Sequence, residues 1–154
     1  MNSQAEIALV DFQKDFEAFI VSCNELEESD RWDVDELGPT AAYFESDLFG
    51  AVLQVMSADG VFERPEAEVL NAMFDTSYTP RQLSDLYHSV GPVLKAYLSD
   101  GSDYALTILS SADPSLAESY RSLLLEACRI VSLSDGVAEK SERMLIAQLR
   151  EALA

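Results

Sequence analysis

Apolar residues recur along this chain every three or four positions and almost never every two. From about residue 5 to 25, Leu9, Phe12, Phe16, Phe19 and Cys23 fall at i, i+3, i+7, i+10 and i+14, one stripe on an otherwise acidic helix. The stretch NELEESDRWDVDELGP, 24–39, breaks that period and reads as an acidic loop. Its Trp32 is either a lid folded over the core or an exposed anchor; the large apolar area of an indole favours the lid. Pro39 suits the first turn of a second helix, which sets Phe44, Leu48, Ala51, Val52 and Val55 on one face. A third, about 64–75, turns Val69, Leu70, Met73 and Phe74 inward.

Thr79-Pro80 and Asp113-Pro114 each spell an N-cap followed by proline at the first helical position, opening a fourth and a sixth helix. Gly91-Pro92 is expected to kink or split the fourth, and GSDYALTILSSA forms a short fifth. The sixth carries Leu116, Tyr120, Leu123, Leu124, Ala127 and Val131 on one stripe. The seventh, 141–153, carries Leu145, Ile146, Leu149 and Leu153. The pattern predicts an all-α fold of about seven helices, in a single domain over 1–154.

A shift of 76 residues lays the second and third helices over the sixth and seventh. Between 43–74 and 119–150, nine positions are identical, among them Leu48/Leu124, Ala51/Ala127, Val55/Val131, Asp59/Asp135, Gly60/Gly136, Glu63/Glu139 and Glu66/Glu142. Two helix-turn-helix units with one apolar stripe each cannot bury themselves alone. They are expected to pack on one another through a pseudo-two-fold relation.

Charge narrows the partners. The formal net charge is -18, and residues 1–47 hold 13 acids against 2 bases. A surface this negative repels nucleic acid and anionic lipid, and favours cations, basic proteins or simple solubility. Cys23 and Cys128 lie in apolar helical stretches without a local C-x-x-C, which fits small buried hydrophobes in a reducing cytoplasm. The N-terminus has no basic n-region, and no segment approaches the roughly 18 uncharged apolar residues of a membrane span. The expectation is a cytoplasmic protein that does not itself insert into a membrane.

The two Asp-Gly turns admit two chemistries. Gly60 and Gly136 can take the left-handed conformation that ends a helix. Glu66 and Glu142 then fall near N3 of the next helix, where a carboxylate can reach back to unpaired N–H groups. Alternatively Asp59, Glu63 and Glu66 at one turn, with Asp135, Glu139 and Glu142 at the other, offer clustered oxygens to a hard divalent cation such as Ca²⁺ or Mg²⁺. Neither turn is an EF-hand, because loop positions 1 and 3 are Val55 and Ser57 in one copy, Val131 and Leu133 in the other.

A helix ending in ADG or SDG, then Val, then Glu at 66 and 142, twice in an all-helical chain, resembles the tellurite-resistance TerB family. The N-terminal domains of membrane-anchored J-domain co-chaperones share this pattern, and the likeness covers about residues 40–154. The family's turn usually carries Ser or Thr as N-cap, where Glu63 and Glu139 stand here. The resemblance implies a cytoplasmic helical module expected to bind metal through acidic residues and to work with stress-response partners; it implies no reaction.

His88, the only histidine, has no Cys or His near it in sequence and reads as a partly buried helical residue. No nucleophile elbow and no glycine-rich phosphate loop occurs, so nothing calls for an enzyme. The expected function is a non-enzymatic TerB-like module that binds a protein partner and a divalent cation. A metal-free acidic adaptor docking a basic surface is the alternative, and a hydrolase with carboxylate-bound metal is a third class.

Overall fold

The apolar stripes set the arrangement. In the computed structural model, which describes residues 3–56, 61–89, 104–134, 147–148 and 150–151, every regular element is helical. In chain order these are α1 Ser3–Glu28, α2 Val34–Leu37, α3 Thr40–Met56, α4 Arg64–Phe74, α5 Pro80–Ser89, α6 Tyr104–Ala112 and α7 Pro114–Ser134. No strand occurs among the described residues, and no helix there is long and apolar enough to cross a membrane. The chain is all-α.

Helix α1 lies chiefly along α7, and both lean on α3. Phe12, Phe19 and Cys23 of the α1 stripe are buried, with Leu9 and Phe16 partly covered at its edge. All five residues expected inside on α3 are buried, as are the six on α7. At roughly 1.5–3 kcal/mol for each large side chain removed from water, these stripes supply the main drive to pack.

Tyr120 is fully buried at the centre, stacked on Phe19 at 5.3 Å and edge-on to Phe44 at 4.9 Å. Its hydroxyl donates to Asp47 Oδ2, so the polar tip is satisfied where the ring is not wetted. The repeat-equivalent residues Ala51 and Ala127, Val55 and Val131 line one narrow seam between α3 and α7. The two repeat helices therefore do pack face to face. The second turn lies outside the described residues, as do Leu145, Ile146, Leu149 and Leu153 of the last helix and Gly91-Pro92.

The caps read at Thr79-Pro80 and Asp113-Pro114 form as expected. Thr79 Oγ1 accepts from Gln82 N–H at 3.1 Å while Gln82 Oε1 accepts from Thr79 N–H at 2.9 Å, a reciprocal capping box. Asp113 Oδ1 accepts from Leu116 N–H at 3.1 Å at the start of α7.

Three expectations need correction. Helix α1 runs to Glu28 rather than about 25, because Leu26 extends its buried stripe by another i+3 step. The acidic stretch is not all loop: Asp33 accepts from Glu36 N–H at 3.2 Å and nucleates the single turn α2, closed by Gly38 at φ +80°. His88 is exposed, its ring edge-on to Tyr87 at the end of α5.

Candidate functional site

Four features of the surface carry chemistry. The first is the acidic front. Trp32 is 4% exposed and folds over the core against Tyr43 and Phe44, with its Nε1–H donating to Gly38 O at 3.0 Å. It is the lid. Arg31 bonds Ser29 Oγ at 2.9 Å and reaches Ala112 O and the Asp113 carboxylate across 81 residues of chain or more. Glu27 Oε1 accepts from Thr40 N–H at 3.0 Å, which satisfies a donor at the first turn of α3. These three ties hold the segment in place. Glu25, Glu28, Asp30, Asp33, Asp35 and Glu36 all remain exposed upon it.

The second feature is the first Asp-Gly turn. Of the six carboxylates proposed as metal ligands, Glu63 and Glu66 lie among the described residues; Asp59, Asp135, Glu139 and Glu142 do not. Glu63 occupies the N-cap of α4, its backbone extended at φ -99° and ψ 166°, and its side chain makes no capping bond. Glu is a poor N-cap, because its longer side chain does not present an oxygen to the N2 and N3 N–H groups as Ser or Asp does. Pro65 follows in the first turn, and Glu66 sits at N3, half-buried. No group of three or more metal-ligating side chains is assembled among the described residues.

The third feature lies between α1 and α7 and was not anticipated. A groove of about 310 Å³ there is lined by Asp15, Ser22 and Phe19 from one side and Ser119, Ser122 and Glu126 from the other. Glu126 is pushed up from the usual carboxylate range to about 7, by burial first, then by the hydrogen-bonding contact and charge of Asp15 and the charge of Asp11. Arg129 opposes the shift without cancelling it. Glu126 Oε2 is closed off from solvent and lacks a well-aligned donor. Burial disfavours the charged form, and the facing Asp15 carboxylate adds to that, so Glu126 holds its proton above the usual carboxylate range.

A further hollow of about 400 Å³ opens between α3, the end of α4 and α5, over Phe49, Phe74 and Tyr78 with Glu45 at its edge. Asn71 braces the wall formed by Thr76 and Tyr78. Its Oδ1 accepts from Thr76 Oγ1 at 2.8 Å and from Tyr78 N–H at 2.9 Å, while its Nδ2 donates to Tyr78 O at 2.9 Å. Asp75, at φ +54°, turns the chain out of α4 so that this loop can fold back.

The two cysteines are inert by position. Burial pushes the thiols of Cys23 and Cys128 up to about 12, and the nearby Glu27 charge adds to the shift at Cys23. Comparison with family models, with curated proteins and with solved structures finds no match to this chain.

Proposed function

We propose that the protein is a non-enzymatic helical binding module whose acidic front docks a basic protein surface. The observation that carries this reading is the ordered display of six exposed carboxylates on a segment fastened by Trp32, Arg31 and Glu27. A fixed array of like charges loses little entropy on meeting its complement, and it steers encounter from a distance. Arg31, the one base in 24–39, is already paired with Asp113 at 3.9 Å. The residue pattern of the two Asp-Gly turns supports a TerB-like, stress-response setting for the module.

A second reading gives those turns a Ca²⁺ or Mg²⁺ ion, held by carboxylates from Asp59, Glu63, Glu66 and their repeat equivalents Asp135, Glu139 and Glu142. It is favoured by the Glu63 carboxylate, which stands at an N-cap without serving as the cap.

Docking is tested with a short poly-lysine peptide by calorimetry at low and physiological salt. The triple variant Glu25→Gln, Glu28→Gln, Asp30→Asn leaves the Glu27 cap intact, and Asn tolerates the φ of +59° at position 30. It should weaken binding by roughly tenfold at low salt and flatten the salt dependence. A control loses three exposed acids elsewhere, through Glu6→Gln, Glu17→Gln and Glu151→Gln. Equal weakening in both variants would mean that net charge alone attracts the peptide, and the docking assignment would fall.

A further inference from the structure

The hollow beside Asn71 differs in kind from the acidic front. Its floor is aromatic: Phe49 meets Phe74 at 5.2 Å, edge to face, and Tyr78 at 5.9 Å. These three rings are only partly covered, and Leu86 extends the apolar surface. Glu45 precedes Phe49 by four residues on α3, so its carboxylate rises from the same helix face one turn away. A shallower hollow continues past Tyr78 and Leu86 to Asp85 on α5. The charged residues along the whole course are thus Glu45 and Asp85, both acidic and both outside any ion pair among the described residues.

We propose that this groove receives an arginine side chain of the basic partner, the guanidinium lying against the rings of Phe49 and Tyr78 and pairing with Glu45. The proposal rests on the reading of the protein as a module for a basic partner, and it names where that partner is anchored. Aromatic faces are negative at their centres and attract a cation, and a carboxylate at the rim supplies the matching charge. Arginine suits the site better than lysine, because a planar and weakly hydrated guanidinium can stack and pair at once, whereas an ammonium must shed tightly held water. Its methylene stem would cover Leu86 and the edge of Phe74. The Asn71 bonds fix the Tyr78 backbone, and the Phe49 ring packs on the Tyr78 ring, so less ordering of this wall is left for binding to accomplish.

Acetyl-arginine methylamide is the probe, with the uncharged citrulline counterpart as isostere, both followed by aromatic NMR shifts of the intact chain. The arginine probe should shift the rings of Phe49, Phe74 and Tyr78 saturably, and the citrulline probe should bind roughly tenfold more weakly or not at all. Glu45→Gln, at an exposed position, should weaken the arginine probe roughly three- to tenfold with the melting temperature unchanged. Phe49→Leu keeps the apolar volume and loses the π face, and should do the same; a Phe49→Leu protein that fails to fold leaves Glu45→Gln to decide. Equal binding of arginine and citrulline, shifts confined to the 25–36 front, or no saturable shift would each overturn the assignment. The front variant separates the two proposals. It must leave the groove titration unaltered, and if it abolishes poly-lysine binding while the groove stays silent, only the groove assignment falls.

Discussion

Glu126→Gln tests the groove between α1 and α7 against pH. The wild-type carboxyl moves from an ordinary value of 4.5 to about 7 on folding, so the folded protein holds a proton that the unfolded chain has released. At pH below 4.5 both states are protonated and the group is neutral to stability. Between 4.5 and 7 the unfolded chain binds fewer protons than the folded one, so stability falls as pH rises, and the loss is complete above 7. At about 1.4 kcal/mol per pH unit the shift has a ceiling of roughly 3 kcal/mol. Glu126 is only partly buried, and solvent screening lowers the expected effect to about 1–2 kcal/mol.

Gln carries no charge at any pH, keeps the shape, and can donate its amide to Asp15. The variant should therefore gain about 1–2 kcal/mol over wild type at pH 8 and little at pH 5, measured by urea unfolding followed by circular dichroism. Asp15→Asn removes the same repulsion from the α1 side. The two gains should not add, since one contact cannot be relieved twice. Parallel stability curves for wild type and Glu126→Gln across pH 5–8 would refute the assignment of the raised carboxyl to this pair.

Other outcomes follow from the same geometry. Cys23 and Cys128 should react with a thiol reagent at pH 8 only as fast as the protein opens; rapid labelling of the native state would contradict their burial. Asn71→Ala should cost about 2–3 kcal/mol in urea unfolding, because Tyr78 N–H and Thr76 Oγ1 lose their acceptor and Tyr78 O its donor; a loss below about 0.5 kcal/mol would contradict the bracing role of Asn71. On the cation reading, calorimetry and thermal unfolding with millimolar Ca²⁺ or Mg²⁺ should show heat and a raised melting temperature in wild type. The Glu66→Gln, Glu142→Gln variant should show neither; a wild type without response removes the cation reading for those ions.

Periodicity made most of the fold legible, because a helix that must bury one stripe writes that stripe every three to four residues. Phe44 to Val55 and Leu116 to Val131 could be placed inside from spacing alone. Proline after Thr79 and Asp113 marked two helix starts to the residue. The errors came where local chemistry overrides periodicity. The charges at 25–28 hid that Leu26 is a core residue, and a four-residue turn such as α2 is too short to show a period. The Asp15–Glu126 pair was invisible for a different reason. On its own helix each is an ordinary acid, and only the packing of α1 on α7 brings together residues 111 positions apart. The aromatic groove left a fainter signal: Phe49 lies beside the stripe of Leu48 and Val52 rather than on it, a position that half-exposes a ring.

Trp32, described above as a lid, also gives the molecule an optical consequence. It is the sole tryptophan of the chain, so all indole fluorescence comes from one ring lying between the acidic segment and the aromatic core. Its hydrogen bond to Gly38 and its contact with Tyr43 make the emission sensitive to any shift of residues 31–38. A partner settling on the exposed carboxylates, as proposed, would press on the segment from which that ring hangs, and the light it emits would report the event without a label.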